Sequence, residues 1–396
     1  MDNVQYLDIL TDPIVAGPHR RVQNLAAIMR DAGHRPLLLL PRGMTEDTPF
    51  CRELRSAGIS YVINPKLMQV RAPRFDAISH NLRWAVHTAR LYISALVDHD
   101  LLFDTRAYVV NGILNTFLCA HPQLRKLPGI VIVNDTIVPR KLFAALYRLW
   151  HARITVVFQT PSVKRFYLGG SGYSFSDADI MAPGVKLELY MRERRRNPFR
   201  EGDDRIILGS LSNISPRKGI EDGIRIAAAV AQAIPDTKVT YKIAGDLLKT
   251  QEHYLQLLHR MASKLPENCN VEFLGFLNPT ESVRFLKAID ALLLPSRSES
   301  FPQVVVQAQA AGTPVFAYRI PGVVDQIDDG KTGYLADLYD TDNLTRRVLA
   351  AIANPDHVAE ICDRALLTVR TNWSLDQNRE KFIRIVERAV HSSGRL

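Results

Sequence analysis

A chain of 396 residues is too long for one ordinary core and suits two domains of roughly 190 residues each. Its 46% hydrophobic and 23% charged residues exclude general disorder, and no run of 18 apolar residues marks a membrane-spanning helix. The net charge of +9 sits wholly in the first half: residues 1–200 hold 27 Lys and Arg against 16 Asp and Glu, and residues 201–396 hold 23 against 25. Such a basic half suits an anionic partner (a phospholipid surface or a lipid phosphate), or is ordinary solubilising charge. Nucleic acid is not expected, because no basic and aromatic residues interleave and no binding motif is present. The first residues carry no basic-then-apolar leader. Cys51, Cys119, Cys269 and Cys362 are scattered without metal-ligand spacing. A cytoplasmic protein is therefore expected, peripheral at most to the inner membrane face, with no metal and no disulfide framework.

Short β-branched or Leu-rich runs alternate with amphipathic stretches, the pattern of a parallel sheet wound with helices. In the first half, strands are predicted at 6–10, 37–40, 61–63, 108–110, 130–133 and 154–158. A loop is expected around Gly17 and Pro18, a helix at 21–32 closed by Gly33, and another helix at 82–97. The charged segment 192–204, RERRRNPFREGDD, has no apolar period and reads as a linker. The alternation restarts with strands at 206–211, 239–244, 271–274, 291–294 and 314–318, and a helix at 220–234. The expected organisation is thus a first Rossmann-like domain (1–190), a linker (191–204), a second Rossmann-like domain (205–372) and terminal helices (373–396) that cross back to the first. Two doubly wound domains facing across a cleft would bind ligand at the carboxyl ends of their strands.

The most specific segment is 296–333, SRSESFPQVVVQAQAAGTPVFAYRIPGVVDQIDDGKTG. It reads as a polar loop after a strand, then a helix from about 301 to 311 with Pro302 in its first turn and Gly312 at its end. The N–H groups of Ser300, Phe301 and Gln303, with the positive end of the helix dipole, would form an anion site. Glu299 and Gln307 are eight positions apart, roughly 12 Å along a continuous helix, which suits a ligand with hydroxyls at both ends and phosphates between.

These residues resemble the donor-site signature of the retaining GT-B glycosyltransferases of family four (glycosyl transferases group 1), in which Glu, seven residues and a second Glu precede a Gly-Thr-Pro-Val strand. The resemblance implies that Glu299 holds hydroxyls of the donor sugar, that the backbone from Ser300 through Phe301 and Pro302 to Gln303 contacts the diphosphate, and that Gln307 binds the ribose. Upstream, SNISPRKGIEDGI (212–224) is similar to the family segment whose cations neutralise the departing diphosphate, with Lys218 on the family Lys and Asn213 on the family Arg. Lys218, Glu299 and Asn213 are thereby the expected catalytic residues. Gly275, Phe276 and Leu277 resemble the turn whose backbone reads the nucleobase, and Gly17 and Pro18 resemble the glycine loop facing the phosphates. Asn134 and Asp135 stand where the family has a His-Asp pair.

Three departures from the family pattern are all neutral amides. Gln307 still offers donor and acceptor to a diol. Asn213 can donate to a phosphate without charge, leaving that task to a cation such as Arg217, and Asn134 cannot act as acid or base near neutral pH. The resemblance implies a transferase moving a hexose from a UDP- or GDP-linked sugar to a glycan, lipid-linked or small-molecule acceptor with retention of configuration, in polysaccharide or glycoconjugate synthesis and without a further cofactor. The amides motivate the alternative of a catalytically silent protein that binds a sugar nucleotide or a partner enzyme. Standing alone, Glu299 could equally be a carboxylate complementing a helix dipole.

Overall fold

The computed structural model describes residues 5–10, 17–41, 43–64, 67, 104–111, 118–119, 124–133, 154–169, 180–191, 198–199, 204–246 and 251–392. Outside them lie the helix expected at 82–97, most of the linker segment and the pair Asn134–Asp135. The chain divides into two compact units, one of Met1–Pro183 with Asn378–Leu396 and one of Gly184–Gln377.

Among the described residues the first unit holds six strands: β1 (Gln5–Ile9), β2 (Arg35–Leu40), β3 (Ser60–Ile63), β4 (Thr105–Asn111), β5 (Gly129–Val133) and β6 (Ile154–Phe158). They pair in parallel in the order β3-β2-β1-β4-β5-β6. Along β1 the side chains alternate between faces. Leu7 and Ile9 join Val110, Val131, Phe158 and Val163 on one side, while Leu10 joins Val22, Leu38, Leu40 and Leu54 on the other. Asp8 shares that second face and is fully buried. Its Oδ1 accepts from Asn111 Nδ2 at 2.5 Å, and Arg21 Nη2 donates to Asn111 Oδ1 at 2.6 Å. Burial pushes the Asp8 carboxyl up to about 7, against the pull of Arg21 and the Asn111 hydrogen bond.

The first helix described runs Gly17–Asp31, so Gly17 and Pro18, expected in the preceding loop, lie in the helix instead. Gly33, at φ 87, follows the helix as expected.

The second unit repeats the plan. Strands β7 (Arg205–Leu211), β8 (Lys238–Ala244), β9 (Cys269–Gly275), β10 (Ala291–Leu294), β11 (Val315–Tyr318) and β12 (Tyr334–Ala336) are parallel in the order β12-β11-β10-β7-β8-β9. Counted from its own first strand, this order is the same as in the first unit. β12 went unpredicted, since three residues carry too little alternation to read. Leu208, Val239, Tyr241, Leu292 and Phe316 are buried in the core. Pro198 and Phe199, in the charged segment read as a linker, are buried, with Phe199 at φ 56.

In each sheet the first and fourth strands are neighbours, and their connections leave in opposite directions. That switch point, between β1 and β4 and again between β7 and β10, is where open α/β sheets bind ligands at the carboxyl ends of the strands. Among the described residues no helix is long and apolar enough to cross a membrane.

Candidate donor site

At the switch point of the second sheet, β7 runs out into Ser212 and Asn213, and a one-turn 3-10 helix at Pro216–Lys218 follows. Gly219 then starts the helix Ile220–Ala233 from a left-handed backbone, φ 63. A Cβ on Gly219 would lie 2.1 Å from the carbonyl oxygen of Pro295. Only glycine lets this turn press against the end of β10. The loop 295–302 continues from β10, and the close approach carries Lys218 onto Glu299.

Lys218 Nζ donates to Glu299 Oε1 at 2.5 Å, and Arg217 Nη1 lies 3.6 Å from Glu299 Oε2. The accessible fractions of these side chains are 15% for Lys218, 9% for Glu299 and 42% for Arg217. Burial by itself would raise the Glu299 pKa, but the charges of Lys218 and Arg217 outweigh it and hold the carboxyl below its ordinary range. Glu299 is therefore an ionised carboxylate gripped by cations. It is not the helix cap, a position taken by Pro302.

The helix itself is Gln303–Ala311, with Pro302 as N-cap and Gly312, φ 74, as C-cap. It starts two residues later than expected, because a residue before proline is driven out of the α region. Ser300 and Phe301 thus belong to the loop, and the 12 Å spacing of Glu299 and Gln307, which assumed one continuous helix, does not apply. The exposed N–H groups of a helix start fall on Gln303 and Val304. Phe301 packs its ring against Trp373, centroids 5.4 Å apart, so its backbone alone can face a ligand. Ser300 is held from behind by Gly322, φ 86, where a Cβ would lie 2.4 Å from the Ser300 carbonyl oxygen. Gln307 is half-buried on the following helix turns, and Asn213 is half-buried beyond β7.

Gly275 ends β9, at φ 71, and its carbonyl accepts from Gly245 N at 2.8 Å. Phe276 leaves 62% of its surface accessible, and Leu277 leads to the Asn278 capping box with Glu281. The turn Gly275–Leu277 therefore lies on the same carboxyl rim as Lys218 and Glu299. Gly17 and Pro18 lie in a helix of the other unit. No group of three or more His, Cys, Asp or Glu positioned to hold a metal occurs among the described residues, and the four cysteines are free.

Sequence reasoning missed Arg297. Its backbone N–H donates to Arg217 O at 2.9 Å, and its guanidinium donates to Pro216 O and Glu221. Burial opposes its charge, but Glu221 and Asp222 more than compensate, and its pKa is raised. The readable signal was the adjacent acids Glu221 and Asp222 on the first turn after Lys218-Gly219, since buried carboxylates require a cation.

Residues 191–366 match the model of the family Glycosyl transferases group 1. That family segment contains the Lys218 turn, the Glu299 loop and the helix between Gln303 and Ala311. Over 172 residues the chain is 31% identical to a D-inositol 3-phosphate glycosyltransferase of Corynebacterium diphtheriae, covering 41% of this chain and 39% of that one. Over 207 residues it is 30% identical to the GDP-mannose-dependent alpha-(1-6)-phosphatidylinositol monomannoside mannosyltransferase of Mycolicibacterium smegmatis, covering 50% of each. The matches thus span about two fifths to one half of these curated relatives. In structure, the chain aligns with Anabaena HepE in complex with UDP and glucose at a TM-score of 0.73 and 17% identity, over 97% of this chain and 100% of that one. The chain has the GT-B fold.

Proposed function

We propose that the protein is a glycosyltransferase moving a hexose from a UDP- or GDP-linked sugar to a glycan, lipid-linked or small-molecule acceptor, with retention of anomeric configuration. The observation that carries this reading is the Lys218–Glu299 pair, set beside a helix start at the switch point of a Rossmann-like sheet. An ammonium there can meet the diphosphate, and the carboxylate can accept from the sugar hydroxyls. The curated relatives, named as glycosyltransferases and one as GDP-mannose-dependent, and HepE crystallised with UDP and glucose, support the donor class.

In the proposed reaction the bond between the anomeric carbon and the phosphate oxygen breaks, and the acceptor oxygen bonds that carbon on the same face. The acceptor proton passes to the departing phosphate. Lys218, assisted by Arg217 and the N–H groups at Gln303 and Val304, stabilises charge that grows on the diphosphate as it leaves, which lowers the barrier more than it stabilises the ground state. Gln307 offers an amide to the ribose, and the Gly275–Leu277 turn offers backbone to the base.

The test is a thermal-shift screen against UDP, GDP and their sugars, followed by measurement of nucleoside diphosphate release from each sugar that binds. A ligand bound only by the native form raises the melting temperature, and the absence of any shift would overturn the reading. The amides at Asn213 and Gln307 favour a second reading, a silent sugar-nucleotide-binding protein. Tight binding with no release from any donor would select it.

A further inference from the structure

We propose that Arg297 is a positioning residue that laces the Lys218 turn to the Glu299 loop and so sets the ammonium and carboxylate for a diphosphate; this rests on reading that pair as the donor site. Three consecutive residues of one loop meet three of the other. Arg297 N donates to Arg217 O at 2.9 Å, its guanidinium donates to Pro216 O, Arg217 Nη1 returns to Ser298 O at 2.7 Å, and Lys218 meets Glu299 at 2.5 Å. The guanidinium crosslink adds to the ion pair, to the Arg217 contacts and to the close approach of Gly219 to Pro295 in fixing where the Lys218 ammonium stands.

The surroundings of Arg297 are built to hold it. Nη2 donates to Glu221 and lies 3.6 Å from Asp222 Oδ2. Each acid is buried and oriented in turn: Glu221 accepts from the Tyr254 hydroxyl, and Asp222 accepts from the Tyr318 hydroxyl at 3.1 Å and from Arg225 at 2.5 Å. The Tyr339 ring stacks over the guanidinium, 5.4 Å from its centre. Tyr339 does so from a left-handed backbone, φ 71, a region bulky residues avoid and occupy only where the surrounding structure compels it. A planar fork can bridge a carbonyl and a carboxylate at once, whereas an ammonium is a point charge. Arg297→Lys therefore keeps the charge opposite Glu221 and Asp222 but breaks the link to Pro216.

UDP and GDP are titrated by calorimetry into the full-length protein, into Arg297→Lys, into Lys218→Ala and into the double variant, with melting temperatures alongside. For the nucleotide that the wild type binds, Arg297→Lys is expected to weaken affinity about tenfold with folding intact, as loss of a charge-assisted contact does. In the Lys218→Ala background the same change is expected to cost almost nothing, because two residues acting through one group are not additive. Equal losses in both backgrounds would show a merely structural role and overturn the inference. Binding lost in Lys218→Ala yet undiminished by Arg297→Lys would overturn the inference alone, and unchanged binding in Lys218→Ala would overturn the donor-site reading beneath it. Tyr339→Gly, which removes the ring and relieves the backbone, gives a second handle should Arg297→Lys fold poorly. It is expected to weaken nucleotide binding while raising the melting temperature, and undiminished binding in that variant would count against the inference.

Discussion

The two sheets share one strand order, yet their switch points hold opposite kinds of polar cluster. In the first unit, Asp8, Asn111 and Arg21 are buried and bonded to one another, and burial dominates, lifting the Asp8 carboxyl to about 7 and lowering Arg21 to about 10. In the second, Lys218 and Arg217 keep part of their surface accessible, and the cations dominate, holding Glu299 below the carboxylate range. The same topology therefore carries a sealed ionic clamp in one unit and, in the other, a carboxylate held by cations that keep part of their surface accessible. A clamp spends its charges on the fold, while a pair left accessible can exchange one partner for a ligand.

The largest effect that would break this comparison comes from removing its cations in turn. Lys218→Ala is expected to lower donor turnover by about 10²–10³-fold with the fold retained at a modestly lower melting temperature, because Arg217 still faces the Glu299 carboxylate. Arg21→Ala, which strands a buried carboxyl, is expected to cost about 3–5 kcal/mol of stability in chemical denaturation. Near-normal turnover in Lys218→Ala would refute the site. Gly219→Ala places a Cβ against Pro295 and strains a left-handed residue, so it should destabilise the second unit by about 3 kcal/mol and weaken nucleotide binding; calorimetric melting with and without UDP reads both.

The pH dependence sharpens the contrast, since the two carboxyls shift in opposite directions. Asp8 titrates higher in the fold than its ordinary 3.8. Its contribution is thus fully present below about pH 4 and is lost as pH rises through about 7. Glu299, whose pKa is lowered, stabilises above the ordinary carboxylate range and loses that contribution as pH falls through its depressed value. Asp8→Asn should flatten the fall in stability between pH 4 and 7, and Glu299→Gln should flatten the acid limb; an unchanged slope in either variant would contradict the assignment. The smallest effect belongs to Gln307→Ala, expected to weaken UDP by about 1 kcal/mol while leaving inorganic pyrophosphate unaffected in the same titration.

Most strands were legible because parallel strands buried on both faces read as unbroken apolar runs, as with Ile154–Phe158 and Ala291–Leu294, which the structure places at those bounds. Gly312 was readable as a helix stop because its conformation is a local property of one residue. Two boundaries were not. Gly17 and Pro18 looked like a loop but lie in a helix, and the 303–311 helix yields its first two expected residues to the loop that bears Glu299. Helix starts depend on a cap and on what the preceding loop packs against, and Ser300 is held by Gly322 and Phe301 by Trp373, partners distant in sequence.

Composition and periodicity determined by themselves that this chain builds two Rossmann-like domains, and the resemblance of two short motifs to one family singled out Lys218 and Glu299. Tertiary structure alone decided that the two touch, that Arg297 locks their loops together and that Asp8 is sealed in a clamp. Propensity and patterning act over neighbouring residues, whereas charge pairing depends on distances that a separation of 81 positions in sequence leaves unspecified until the sheet has brought β7 beside β10.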